Sequence, residues 1–128
     1  MRCRVNASPQ TVIQTIGASG LTHITGIDVH PLTGEIYGVS NSSDQLFKID
    51  PATGAITNIG STGGAQIPDI SFRSDGTLFA WVESGAGGGD DLATINLSTG
   101  VVTIIPSSIG SSRTGIAFDS TDNLYVKT

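Results

Sequence analysis

Apolar residues in this chain come in short bursts. Runs such as Ile36-Tyr37-Gly38-Val39 and Leu46-Phe47-Lys48-Ile49 alternate with clusters of Gly, Pro, Asn, Asp, Ser and Thr. No stretch sustains a helical period with caps, whereas short runs punctuated by turn residues predict strands. The clearest stretch reads as four strands, at 26–30, 35–39, 46–50 and 55–60. Pro31-Leu32-Thr33-Gly34 and Pro51-Ala52-Thr53-Gly54 supply turns. In each, Pro presets its own backbone angle and Gly can take the left-handed conformation that closes a hairpin.

The same order of strands returns. Ile24-Thr25-Gly26-Ile27-Asp28-Val29 matches Ile67-Pro68-Asp69-Ile70-Ser71-Phe72, and both match Arg113-Thr114-Gly115-Ile116-Ala117-Phe118. The anchors Ile27, Ile70 and Ile116 are spaced by 43 and 46 residues. A period of about 40–50 residues built of short strands is the signature of propeller blades. The expected fold is therefore all-β, made of blades of four antiparallel strands. The second unit predicts strands at 69–73, 77–82, 92–96 and 101–106, with a longer loop through Gly85-Ala86-Gly87-Gly88-Gly89-Asp90-Asp91.

The third unit carries only a first and second strand, the latter at 123–127. Residues 2–6 align with the third strands of the other units, and 12–17 with their fourth strands. The chain thus reads as three blade equivalents in one domain: the third and fourth strands of a split blade over 1–20, full blades over 21–64 and 65–110, and the first and second strands of the split blade over 111–128. Three blades are too few to close a ring, since propellers typically have about 4–8. The expectation is a half-ring that another copy completes, as a six-bladed dimer or a head-to-tail filament. Cys3, Val5, Tyr125 and Lys127 would form the self-assembly edge, because unpaired strand edges recruit partners.

Gly26-Ile27-Asp28-Val29-His30-Pro31-Leu32-Thr33-Gly34-Glu35-Ile36-Tyr37, followed by Leu46-Phe47-Lys48-Ile49-Asp50-Pro51-Ala52-Thr53-Gly54, resembles a family of bacterial propeller repeats. That family has the pattern GID-x-x-P-x-TG-x-LY, then LY-x-ID-P-x-TG, and occurs in secreted and cell-surface proteins of largely unknown function. The resemblance implies a fold and no particular activity, because its motif residues are turn and core residues.

Composition narrows the partners. A net charge of −5 with only six Lys and Arg, scattered along the chain, argues against nucleic acid. No apolar run approaches transmembrane length, and the first ten residues lack the apolar core of a signal peptide. The Ser-, Thr- and Gly-rich, lysine-poor composition suggests an extracellular or cell-surface protein. A single cysteine rules out an intrachain disulfide.

Candidate chemistry is sparse. No Ser/His/Asp arrangement or His-based metal cluster is readable, and no catalytic residue, metal or cofactor is expected. Connections on the channel face of a propeller would gather His23, Asn41, Asp69, Asp90 and Arg113, which could bind a glycan or small molecule. Asp69 stands out, since Gly26 and Gly115 take its place in the other units; otherwise it reads as a solvated turn residue. Asp28 lies in an apolar strand and reads as an acceptor for backbone of the next blade. Tyr37, Phe79 and Tyr125 share one position and read as core between blades, and Trp81 as core or rim packing. Gly85 to Asp91 lacks the ligand spacing of a calcium loop. The leading functional expectation is a non-catalytic module that assembles with itself. A ligand-binding propeller is the alternative. A secreted hydrolase or lyase would need Asp69, His23 and Arg113 to converge.

Overall fold

The structure is a computed structural model that describes residues 2–4, 11–14, 19–83, 90–106 and 115–127, with backbone alone for 2–4 and 11–14. It is all-β. Twelve strands run in chain order: β1 (Arg2–Arg4), β2 (Thr11–Gln14), β3 (Ile24–Val29), β4 (Ile36–Ser40), β5 (Gln45–Ile49), β6 (Ile56–Ser61), β7 (Gln66–Phe72), β8 (Leu78–Glu83), β9 (Asp91–Ile95), β10 (Val102–Ile105), β11 (Gly115–Phe118) and β12 (Leu124–Lys127). They form two four-stranded antiparallel meanders, β3-β4-β5-β6 and β7-β8-β9-β10, and two hairpins, β1-β2 and β11-β12. Each sheet is a blade, and the first strands β3, β7 and β11 run side by side.

The turns show why the motif has its residues. Asp50 Oδ1 accepts from Ala52 N and Thr53 N, Thr53 Oγ1 accepts from Ala55 N, and Gly54 has φ 76°. Asn96, Thr99 and Gly100 repeat this geometry, with Gly100 at φ 79°. In the β3–β4 turn His30 takes the part of the Asp: its Nδ1 accepts from Leu32 N and Thr33 N. These turns satisfy their own amides locally, which is why Asp and Asn recur at turn starts.

Each four-stranded blade has two working faces because strand side chains alternate. One face of the first blade carries Tyr37, Val39 and Leu46. It packs on Ile70, Phe72, Leu78 and Ala80 of the second blade. The other face of the second blade carries Phe79 and Trp81, against Ile116, Phe118, Leu124 and Val126. Trp81 is fully buried (0% exposed), as the reading of core packing anticipated. Phe47 lies across Gly38, where a Cβ would stand 2.6 Å from its ring.

Tyr125 departs from the expectation that its position is core. It is 61% exposed, whereas Tyr37 and Phe79 are buried. The register explains this: Tyr125 pairs with Ala117 on the face of β11-β12 turned away from the second blade. The first blade shows the mirror case. Ile27 is 57% exposed and Val29 51%, while their equivalents Ile70 and Phe72 are buried against a neighbouring blade.

Candidate functional site

The inner strands β3, β7 and β11 line an open groove of about 420 Å³, the wall of the channel side. Its polar side chains are Asp28, Asp69 and Ser71, all on residues of these strands. Asp28 Oδ1 accepts from Val29 N at 2.8 Å, and its Oδ2 accepts from Phe72 N of the next blade at 2.7 Å. Asp69 does the same one blade on. Its Oδ1 accepts from Ile70 N at 2.9 Å and its Oδ2 from Ile116 N at 3.0 Å. Ser71 Oγ accepts from Phe118 N at 3.2 Å. The inner edge of a propeller blade leaves amides without a strand partner, and these side chains satisfy them across the junction.

This corrects the reading of Asp69 as a solvated turn residue. It lies within β7, which starts three residues earlier than the sequence pattern suggested. The irregular register between Gln66 and Asp69 hid those residues, and fully buried Ile67 with them. Asp28 behaves as read, as an acceptor for the next blade.

Of the other channel-face candidates, Asn41 is bound at a blade junction. Asn41 Oδ1 accepts from Ile67 N at 3.0 Å, and Thr25 Oγ1 donates to Ile67 O at 2.6 Å. Both side chains therefore hold the irregular start of β7. His23 is exposed with φ 50°, and its carbonyl accepts from Asn41 N. Asp90 is half-buried. Arg113 and Val5 lie outside the described residues, as does most of the glycine-rich loop. Cys3 lies in β1, Lys127 in β12. Among the described residues no group of three or more His, Cys, Asp or Glu is placed to hold a metal.

At the opposite end, the turns between first and second strands interlock. Asp122 accepts from Ser74 N and Ser74 Oγ, joining the second blade to the β11-β12 hairpin. The His30 ring lies 4.9 Å from that of Phe72, and a Cβ on Gly76 would stand 2.8 Å from His30 Nε2. Sequence pattern did not reveal these contacts, since they join short polar turns far apart in the chain.

Two carboxylates at this end are held well below the usual range. Asn123 Nδ2–H is the main cause for Asp119, with the amides of Asn123 and Thr121 adding to it. The Arg73 guanidinium is the main cause for Asp75. A folded-state value below the unfolded one gives stability that is complete above the ordinary carboxylate range and is lost as pH falls through it. Melting temperature should therefore fall on acidification below about pH 4. Asp119→Asn should flatten that acid limb while leaving its slope at neutral pH unchanged; an identical acid limb in the variant would contradict the assignment.

Repeated four-stranded sheets, joined by packed faces and by side chains bridging their inner edges, define a β-propeller protein. The chain belongs to the family described as a domain of unknown function (DUF4394), whose sequence model matches residues 3–68. Among solved structures it is similar to the PQQ-bound form of aldose sugar dehydrogenase (Adh) from Streptomyces coelicolor, with TM-score 0.69 and 20% identity. That match covers 91% of this chain and 40% of the other. It is also similar to selenomethionine-substituted virginiamycin B lyase from Staphylococcus aureus, with TM-score 0.55 and 24% identity over 80% of this chain and 33% of that one. The chain thus spans well under half the length of either structure, and at these identities the likeness shows the propeller fold alone. No curated protein matches it.

Proposed function

We propose that this chain is a non-catalytic, self-assembling propeller module, completed by further copies of itself. The observation that carries the reading is the contrast between equivalent positions. Ile70 and Ile116 are 3% and 6% exposed where one blade packs on the next, yet Ile27 at the same register is 57% exposed. At the other end Tyr125 is exposed where Tyr37 is buried. An apolar blade face left open is an interaction surface.

Strand content supports a copy as the occupant. β11-β12 is a first and second strand, and β1-β2 corresponds to a third and fourth. Among the described residues the two hairpins do not pair with one another. In the assembly β12 of one copy pairs with β1 of the next, and the completed blade packs on β3 of that second copy. Two copies close a six-bladed ring, and an angle that does not close propagates a filament. The setting is extracellular or cell-surface.

The committed side chains of Asp69 and Asn41 favour this reading over a ligand site, because their acceptor atoms already serve blade junctions. Tyr125→Asp and Val29→Asp each place a charge on the open faces. In sedimentation velocity both should run as monomer at concentrations where the unaltered chain assembles, with circular dichroism unchanged. Assembly undiminished in both variants would refute the contact.

A further inference from the structure

Among the described residues, the junctions between β3 and β7 and between β7 and β11 are both bridged at their inner edge. Asp28 reaches Phe72 N, and Asp69 and Ser71 reach Ile116 N and Phe118 N. Each bridge runs from a side chain of one blade to an amide of the following blade. The two bridging positions are those of Asp69 and Ser71 in the second unit. In the third unit they hold Gly115 and Ala117, neither of which has a side-chain acceptor.

The receiving side shows the same gap. Val29 N is served by Asp28 of its own strand. Ile27 N, the equivalent of Ile70 N and Ile116 N, has no side-chain acceptor among the described residues, although Ile70 N and Ile116 N both bond Asp69. We infer that the seam between copies is an apolar contact of Tyr125 and Ala117 on Ile27 and Val29, built without the side-chain bridge that locks the internal junctions, and that it is the place where the assembly opens and exchanges copies. This rests on the reading that copies complete one another.

The packing half of the seam has an internal template. Tyr37 meets Phe72 edge-on, with ring centroids 5.5 Å apart. Tyr125 occupies the Tyr37 register and Val29 the Phe72 register, so the seam repeats the contact with a smaller partner. Ala117 faces the seam where Asp28 faces the next blade. The internal junctions thus combine apolar packing with hydrogen bonds to charged groups, and the seam keeps only the first.

Within the chain a side chain at Gly115 has room, and Asp69 already carries one across a junction at the equivalent position. A Cβ on Gly115 would meet Lys127 Cβ at 3.7 Å and Asp69 Oδ2 at 3.8 Å, ordinary contacts, and Gly115 is not in the left-handed region. Asn at this position offers an oxygen to Ile27 N of the next copy without adding a charge beside Asp69. Gly115→Ala fills the same space with no acceptor and is the control.

Sedimentation equilibrium should show Gly115→Asn self-associating about tenfold more tightly than Gly115→Ala, the effect of one added hydrogen bond across a shielded contact. Hydrogen exchange at Ile27 should slow in the Asn variant at assembling concentrations and not in the Ala variant. Gly115→Ser carries the same comparison if circular dichroism shows the Asn variant misfolded. Equal affinities for the acceptor-bearing and Ala variants, with the unaltered chain associating, would overturn the unbridged seam alone. An unaltered chain that stays monomeric would overturn the self-completing module and the seam together.

Discussion

Trp81→Ala should destabilise the fold by about 3–5 kcal/mol, the usual cost of emptying a buried Trp site. Trp81 is fully buried between the second blade and the β11-β12 hairpin, beside Phe79 and Ile116, with Leu92, Ile105 and Phe118 packed around them. A chain of this size has total stability of roughly 5–15 kcal/mol, so the loss removes a large share. Trp81→Phe should be much milder. Nε1 is buried with no hydrogen-bond partner among the described residues, so removing the indole N–H takes away an unsatisfied donor rather than a bond. Urea denaturation measures both variants. Equal costs for Ala and Phe would show that the site depends on the indole and not on filled volume.

Asp69→Ala comes second. It leaves Ile70 N and Ile116 N without the acceptor each now has. An inner amide that loses its partner costs about 1–3 kcal/mol, and two such amides at a half-buried edge amount to about 2–4 kcal/mol. The damage should be local as well as global. Hydrogen exchange should quicken at Ile70 and Ile116 before it does at the β4–β5 ladder. Asp69→Asn, which retains one carbonyl oxygen, should fall between. Unchanged stability with unchanged exchange at both amides would mean the carboxylate does not hold the junction.

These two residues also mark how far the sequence could be read. Trp81 was legible as packing because it shares a strand face with Phe79 within a continuous apolar run, Leu78-Phe79-Ala80-Trp81-Val82. The strand order, the turns at Pro31–Gly34 and Pro51–Gly54, and the blade repeat were legible for the same reason: each is a local pattern with a local physical cause. His30 was read as the last residue of a strand, not as the turn acceptor that replaces an Asp side chain. Asp69 was singled out because its equivalents are glycines, but its task was misread. Its two partners lie at the next residue and 47 residues on, and the strand predicted at 69–73 put it at the first position, beside the connection from the preceding blade. Asp28 gave itself away by standing in an apolar strand, where a carboxylate requires partners.

Exposure of Tyr125 was not legible, because residue type alone does not say whether a blade face has a neighbour. The three equivalent tyrosine and phenylalanine positions look alike in sequence. Only the order of blades in space separates the two that are covered from the one that is open. The same holds for Ile27 against Ile70 and Ile116. The missing acceptors at Gly115 and Ala117 were written in the aligned repeats, but they acquire meaning only once Asp28, Asp69 and Ser71 are seen bridging to the following blade.

The account turns on whether the two open faces meet between copies. Native mass spectrometry of the intact chain at micromolar concentration tests this most directly. A dominant species at twice the chain mass of 13.1 kDa, or a ladder of its multiples, is the expected result. A stable, well-folded monomer as the sole species across the concentration range would contradict it.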